Sequence, residues 1–436
     1  MISFTVQADS SGFLARDTTD AHALITVRAR EDGAPGHRNT DYAEVIIIDC
    51  SGSMMAPPTK IYAARRAACA AVDALRPGAR FAVIRGTSTA EAVYPPGGGL
   101  APATAEHLAE AKRHINRIDA AGGTAIGRWL LAARDLFAAH TGGFRHAILL
   151  TDGKNEHETP AAFQAALAAC QGRFQCDSRG VGRGWIAAEL NAVSDALLGS
   201  ARDIADPAGL VADFQKMTDT AMARLQPEIA LRVWIPKNAR VSSFKQVTPA
   251  ISDLLGRARP VSALECDFPT GAWGAEQRSY HLTVSGLRPR TSPDPCRLAR
   301  VSLVSGEQPP LGSGRQPPLG QADITAVWTP DPALYTQRSR LEEQGHKMIR
   351  LERAFTEGID ALRRDDGPTA LTYLLPARSL AYDLGDAEKI EMLDRVLRTD
   401  PATGEVRIQD GVDPHELEVF GVRSRFTRPA EPKDAS

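Results

Sequence analysis

The sequence predicts an α/β protein, with a Rossmann-like parallel sheet covered by helices on both faces, inserted in a β-sandwich and followed by a helical hairpin region. Three observations carry this. Between residues 41 and 226, short apolar runs alternate with stretches of helical period, the pattern of a doubly covered parallel sheet. Residues 2–8, 23–29 and 228–330 instead alternate apolar and polar positions, with no helix of comparable strength within 228–330. From Tyr335 the helical period returns. At 436 residues the chain has length for two or three domains. Its 43% apolar and 24% charged content is that of a soluble globular protein.

Taken in order, Ile2, Phe4, Val6 and Ala8 share one strand face, and Ala23, Ile25, Val27 and Ala29 share another. Two strands make no stable core alone, so residues 1–35 are expected to complete a sheet formed later in the chain. A Gly- and Pro-bearing link, Glu31 to Thr40, leads to the α/β region. There, Val45 to Ile48 is a buried strand, and Ile61, Ala64, Ala68, Val72 and Leu75 form the stripe of a helix stopped by Arg76-Pro77-Gly78. Arg80 to Ile84 and a short edge strand at Glu91 to Tyr94 follow, then helices over 104–118 and from Ile126. The strand Ala147 to Leu150, a helix ending near Cys170, the strand Phe174 to Val181 and a helix lined by Leu190 and Val193 continue the alternation. A short strand at 202–205 and a helix through Phe214 close it.

Residues 228–330 read as the sandwich, interrupted by a duplicated Gln-Pro-Pro-Leu-Gly in a Pro/Gly loop at 308–312 and 316–320. Residues 335–400 read as antiparallel helices, with Pro376 expected to kink one of them. Val406, Ile408 and Glu416 to Val422 read as closing strands within 401–427, and 428–436 as a disordered tail.

The formal net charge of −2 gives no reason to expect nucleic acid as a partner. The N-terminus lacks the basic and apolar regions of a signal peptide, and no run of about 18 apolar residues occurs. A cytoplasmic protein with no membrane partner is the expectation. Its six cysteines, with no Cys-x-x-Cys pair, are expected to stay thiols; Cys170 and Cys176 flank a helix end and could meet under oxidation.

The chemistry concentrates at three places. Asp49-Cys50-Ser51-Gly52-Ser53 follows the first apolar strand and sets three oxygen-bearing side chains at alternate positions. Gly122-Gly123-Thr124 offers a hydroxyl in a flexible loop, and Thr151-Asp152-Gly153 ends a second apolar strand in a carboxylate. A hard cation such as Mg²⁺ takes oxygen ligands of this kind. Asn155-Glu156-His157-Glu158 lacks the spacing of a zinc hydrolase and reads as a solvated rim loop. The glycines of Arg179-Gly180-Val181-Gly182-Arg183-Gly184 match no dinucleotide or phosphate-loop fingerprint.

These three stretches, in this order and each behind the right kind of element, resemble the metal-ion-dependent adhesion site of a von Willebrand factor type A domain of the bacterial cytoplasmic kind. The resemblance covers residues 41–226. It implies that Ser51 and Ser53 bind the metal directly, that Asp49 and Asp152 act directly or through waters, and that Thr124 does either. It implies Mg²⁺ or Mn²⁺, with Ca²⁺ possible, and one open position for an Asp or Glu of a protein partner. The expected role is metal-dependent protein binding without catalysis. A metal-assisted hydrolase and a structural subunit braced by its metal are the competing readings.

Overall fold

The structure, a computed structural model, describes residues 2–31, 41–140, 142–224, 226–305, 317–337 and 339–427. The link at 32–40, most of the duplicated Pro/Gly loop and the tail from 428 lie outside these residues. The chain divides into two compact units. One is Gly33–Pro227, and the other joins Met1–Asp32 to Glu228–Ser436.

The chain starts with β1 (Ile2–Ser10), β2 (Phe13–Ala15) and β3 (Ala21–Glu31). The α/β unit then runs β4 (Tyr42–Asp49), α1 (Thr59–Ala74), β5 (Arg80–Gly86), β6 (Ala90–Tyr94), β7 (Ala101–Pro102), α2 (Ala105–Ile115) and α3 (Ile126–Phe137). It continues with β8 (Phe144–Thr151), α4 (Pro160–Cys170), β9 (Gln175–Val181), α5 (Ala187–Leu197), β10 (Ala201–Ile204) and α6 (Leu210–Met222). Among the described residues its strands form one sheet in the order β10-β9-β8-β4-β5-β6, with β7 also on β5. The pairs from β10 to β5 are parallel, and β6 and β7 run antiparallel at the edge.

The central strand explains the layering. Every residue of β4 is buried, as a strand covered on both faces must be. Val45 and Ile47 join one core with Ile126, Leu130 and Phe137 of α3, Phe163 and Leu167 of α4, and Val193 and Leu197 of α5. Alternation turns Ile46 and Ile48 to the other face. There α1 and α6 pack on each other and on β4 and β8. Cys170 and Cys176 are both buried free thiols, and burial pushes the Cys170 thiol up to about 11 and that of Cys176 well above its usual range. Exchange chemistry needs the thiolate, so neither is poised for it.

One polar network crosses this sheet. Glu44 is fully buried on β4, opposite His146 on β8, and accepts a hydrogen bond from the Tyr42 hydroxyl. His146 Nδ1 lies 3.0 Å from Glu44 Oε1, and its Nε2 lies 3.1 Å from Asp177 Oδ2. Burial alone would lower the imidazole, but attraction to the two carboxylates raises it to about 9. Asp177, despite burial, is held well below the usual carboxylate range by its bonds to the same ring.

In the other unit the chain continues through β11 (Gln226–Trp234), β12 (Arg240–Thr248), β13 (Ser252–Asp253), β14 (Arg259–Ser262), β15 (Glu265–Trp273), β16 (Gln277–Ser285), β17 (Cys296–Ser305) and β18 (Gly320–Thr329). Two sheets form, β1-β3-β16-β12-β13 and β14-β15-β11-β17-β18-β2. β3 pairs antiparallel with both β1 and β16, so the N-terminal strands are built into a sheet that the later chain supplies. Ile25 and Val27 of β3, Leu282 and Val284 of β16, Leu231 and Val233 of β11, and Val301 and Leu303 of β17 share one core. After α7 (Pro332–Tyr335), the helices α8 (Arg340–Arg363), α9 (Gly367–Leu384) and α10 (Ala387–Val396) follow, and α8 packs on β3, β16 and β12. These helices therefore belong to the same compact unit as the two sheets.

The closing strands differ from expectation. A short β19 (Leu397–Thr399) pairs with β20 (Val406–Ile408), but residues 416–422 lie in a helix, α11 (Pro414–Arg423). The Asp413 carboxylate accepts from His415 N–H at 3.0 Å and caps that helix, with Pro414 at its first position. Leu417 and Phe420, one turn apart, then bury together against the α8–α10 core.

Two outcomes follow. Removing residues 1–31 strips Ile25 and Val27 from a core shared by two sheets. The remainder, 228–427, should lose cooperative melting by calorimetry, while 41–227 alone should melt cooperatively. His146 has a folded pKa above its unfolded value of about 6.5, so its contribution is full below that pH and is lost as pH rises through about 9. The urea midpoint should fall over this window. His146→Ala, which leaves the fully buried Glu44 carboxylate with only the Tyr42 hydroxyl, should cost about 3–5 kcal/mol near neutral pH and flatten that dependence.

Candidate metal centre

The site grows from two neighbouring strand ends. β4 ends at Asp49 and β8 at Thr151. From β4 the chain goes through α1 to β5 on one side, and it reaches β8 on the other. The loops behind β4 and β8 therefore part and leave a crevice, which is where open parallel sheets take their ligands. Asp49 is fully buried there. Its Oδ1 accepts from the Ser51 N–H at 2.8 Å, and its Oδ2 accepts from the Thr151 hydroxyl at 2.6 Å. Burial pushes its carboxyl up to about 6, against the pull of those hydrogen bonds.

The other oxygens gather on top of this. The Ser51 and Ser53 hydroxyls are 2.9 Å apart, and Ser53 Oγ donates to Asp152 Oδ1 at 2.6 Å. The remaining oxygen of the buried Asp152 carboxylate, Oδ2, accepts from Lys60 Nζ at 2.6 Å. Ser53 Oγ and Thr124 Oγ1 each lie 3.3 Å from the point that a Cβ on Gly153 would occupy, so the Thr124 loop reaches the same spot. The structure thus brings Asp49, Ser51, Ser53, Thr124 and Asp152 together from three separate stretches of chain.

Backbone hydrogen bonds hold the three loops. Gly52 N–H donates to Gly122 O at 3.0 Å, and Ala121 N–H to Cys50 O at 2.7 Å. Gly122 sits at φ +97, a conformation that side chains other than glycine rarely adopt. Cys50 is a buried spacer whose thiol burial pushes up to about 12, so it contributes neither a ligand nor a nucleophile.

Residues 155–158 do more than line a rim. His157 Nδ1 accepts from the Thr124 N–H at 3.1 Å, and the His157 N–H donates to Thr124 O at 2.9 Å. Asn155 Oδ1 takes the Ile126 N–H at 2.9 Å, and Glu158 Oε1 takes the Gly127 N–H at 2.6 Å. These are the orphan donors of α3, whose own N-cap, Ala125, has no side chain to satisfy them. The segment is a splint for the Thr124 loop.

Three further contributors carry no local signal. Thr151 joins the two strand ends through Asp49, and Lys60 meets Asp152 from the second residue of α1. The glycines in and after β9 are required by what they face: a Cβ on Gly180 would meet the Trp185 ring, and one on Gly184 would meet the carbonyl oxygen of Asp152.

Two carboxylates and three hydroxyls are an oxygen donor set of low charge, suited to a hard cation rather than to zinc or copper. Among the described residues no group of three or more His, Cys, Asp or Glu side chains is placed to hold a metal by itself.

Comparison with known proteins agrees with this architecture. Residues 44–203 match the family model described as von Willebrand factor type A domain. No curated protein matches the chain in sequence. A solved structure described as von Willebrand factor type A from Catenulispora acidiphila is 40% identical, with 98% of this chain and 97% of that one covered and a TM-score of 0.92. The ArnB paralog VWA2 from Sulfolobus acidocaldarius, at 14% identity and 98% coverage of both chains, has a TM-score of 0.63 and shares the fold.

The close approach at Gly184 can be checked directly. Gly184→Ala forces the Asp152 backbone to move and should cost about 1–3 kcal/mol, read as a lower melting temperature.

Proposed function

The chain belongs to the von Willebrand factor type A family, and on that premise we propose that it is a metal-dependent protein-binding module without catalytic activity. The observation that carries this reading is the convergence of Ser51, Ser53 and Thr124 hydroxyls with the Asp49 and Asp152 carboxylates at the β4–β8 crevice. These five residues would hold Mg²⁺ or Mn²⁺, with Ca²⁺ as the further candidate. The bound cation, under-neutralised by only two carboxylates, would supply a Lewis-acidic position for an Asp or Glu of a partner protein.

The chain's own residues prepare for this in separate ways. Thr151 and the Ser51 N–H fix the Asp49 carboxylate, so that its orientation is set before any ligand arrives. The Asn155–Glu158 splint places Thr124. The exposed Ser53 and Met55 stand at the mouth, where a partner surface would meet them. An exposed ion pair stabilises little, whereas direct coordination to a dication can offset the cost of desolvating a partner's carboxylate. In this reading the α/β domain is an insertion in a β-sandwich that carries it. The free cysteines suit a reducing compartment, the bacterial cytoplasm, and among the described residues no helix is long and apolar enough to cross a membrane.

The choice of variant matters for the test. Asp49→Ala would take the acceptor from the buried Ser51 N–H and leave the Thr151 hydroxyl only the Gly153 carbonyl at 3.2 Å, costing about 1–3 kcal/mol in addition to any effect on binding. Ser53→Ala removes the donor to the buried Asp152 Oδ1 and should itself cost about 1 kcal/mol, read from the melting temperature. It should lower Mg²⁺ affinity measured by calorimetry, and Asp152→Ala should abolish it. Unchanged Mg²⁺ affinity in both variants would remove the cation from this crevice.

A further inference from the structure

We infer that Lys60 is a built-in competitor for the cation, a resident ammonium that neutralises Asp152 and must be displaced before the site loads. The inference rests on the cation site proposed above and concerns how that site is regulated.

Lys60 Nζ lies 2.6 Å from Asp152 Oδ2, with the carboxylate fully buried and the lysine side chain 14% exposed. The same ammonium lies 3.5 Å from Ser53 O, in the loop that supplies two of the hydroxyls. Asp49 needs no such partner, because its two oxygens take neutral donors from Ser51 and Thr151. Asp152 is therefore the carboxylate whose charge a lysine balances, and it is one of the proposed metal ligands.

The position of Lys60 is electrostatically unfavourable for the helix that carries it. It is the second residue of α1, whose first turn holds no acidic residue and whose N-terminus has no side-chain cap. The N-terminal end of a helix dipole favours negative charge and disfavours a cation. What holds the ammonium there is the Asp152 carboxylate ahead of it.

The chain also leaves room for the lysine arm. Gly182, at φ +69 in the loop after β9, would place a Cβ 3.0 Å from Lys60 Cε. A side chain at 182 would crowd the arm, so this glycine serves the lysine as Gly184 serves the Asp152 backbone.

A dication and an ammonium on one carboxylate repel each other, and both are within a few ångströms in a site of reduced dielectric. Loading the site and keeping the Lys60–Asp152 pair are therefore competing states. The flexible four-carbon stem gives Lys60 a way out towards solvent. Cation affinity is thereby set lower than the oxygen donors alone would make it, and occupancy follows the free metal concentration.

The test is calorimetric titration of Mg²⁺ into the full chain at fixed ionic strength, for wild type, Lys60→Met, Lys60→Gln, Lys60→Arg and Asp152→Ala, each checked by its melting curve. Lys60→Met and Lys60→Gln should bind about tenfold more tightly than wild type, the scale of an ordinary coupling between two sites. Lys60→Arg, which keeps the charge, should stay close to wild type, and Asp152→Ala should not bind. Equal or weaker affinity in both neutral variants, with Asp152→Ala still inactive, would overturn the competition and leave the cation site standing. Tight binding by Lys60→Arg would also overturn it, because the charge would then not be the cause. Absence of Mg²⁺ binding in wild type and both neutral variants would overturn the cation site, and the competition with it.

Discussion

The hydrogen bond from the Thr151 hydroxyl to Asp49 Oδ2 is the constraint on which the rest of the site depends. A carboxylate at a fully buried strand end is costly unless its oxygens are satisfied. Thr151 satisfies one from the neighbouring strand, and the Ser51 N–H satisfies the other from the turn that follows. The first bond locks the ends of β4 and β8 together, and the second curls the chain so that Ser51 and Ser53 face the crevice. Two strands and one loop are positioned by a single side chain, which is why Asp49 cannot be treated as a ligand alone.

The same economy of charge runs through the α/β unit. Its two buried acidic centres are handled in opposite ways. At the start of β4, Glu44 and Asp177 hold an imidazole between them, and its proton supplies the compensating charge. At the other end, Asp49 takes neutral donors while Asp152 takes Lys60. The first arrangement is closed, with the imidazole held between β4 and β9 and Asp177 also bonded by Ser200. The second has its cation on a flexible arm at a helix start, in a crevice that opens between diverging loops. A closed network serves stability; a compensating charge that can leave serves exchange.

How much of this was legible in the sequence depends on where the deciding contact lies. β4 and β8 were readable because unbroken β-branched and apolar runs of that length leave few alternatives to a doubly covered strand. The five oxygen-bearing residues are readable in three separate local stretches, while their convergence is a matter of spatial arrangement. Residues 416–422 depart from the strand reading because Leu417 and Val419 fit alternation, while Asp413 and Pro414 supply the N-cap and first position of a helix. Gly180, Gly182 and Gly184 match no phosphate-loop fingerprint, and the atoms they face, the Trp185 ring, the Lys60 arm and the Asp152 carbonyl, are not visible in a local pattern. Asn155 to Glu158 looked solvated for a related reason: the N–H groups it satisfies belong to a helix some thirty residues earlier in the chain.

The backbone bonds of the site separate what can be changed from what cannot. The Ser51, Thr124 and Asp152 loops are tied by main-chain contacts such as Gly52 N–H to Gly122 O and His157 N–H to Thr124 O, which no side-chain substitution removes. Ser53, exposed, and Lys60, on a flexible stem, hang on that frame, but both bond the buried Asp152 carboxylate, so changing either leaves it short of a donor. Asp49 and Thr151 are part of the frame. A fold that fixes its loops through the backbone can, on the proposed reading of the site, tune how readily the crevice takes a cation by exchanging one or two peripheral side chains. Lys60 and Ser53 act on the charge and hydrogen bonding of Asp152, whereas Asp49 and Thr151 join the strand ends themselves.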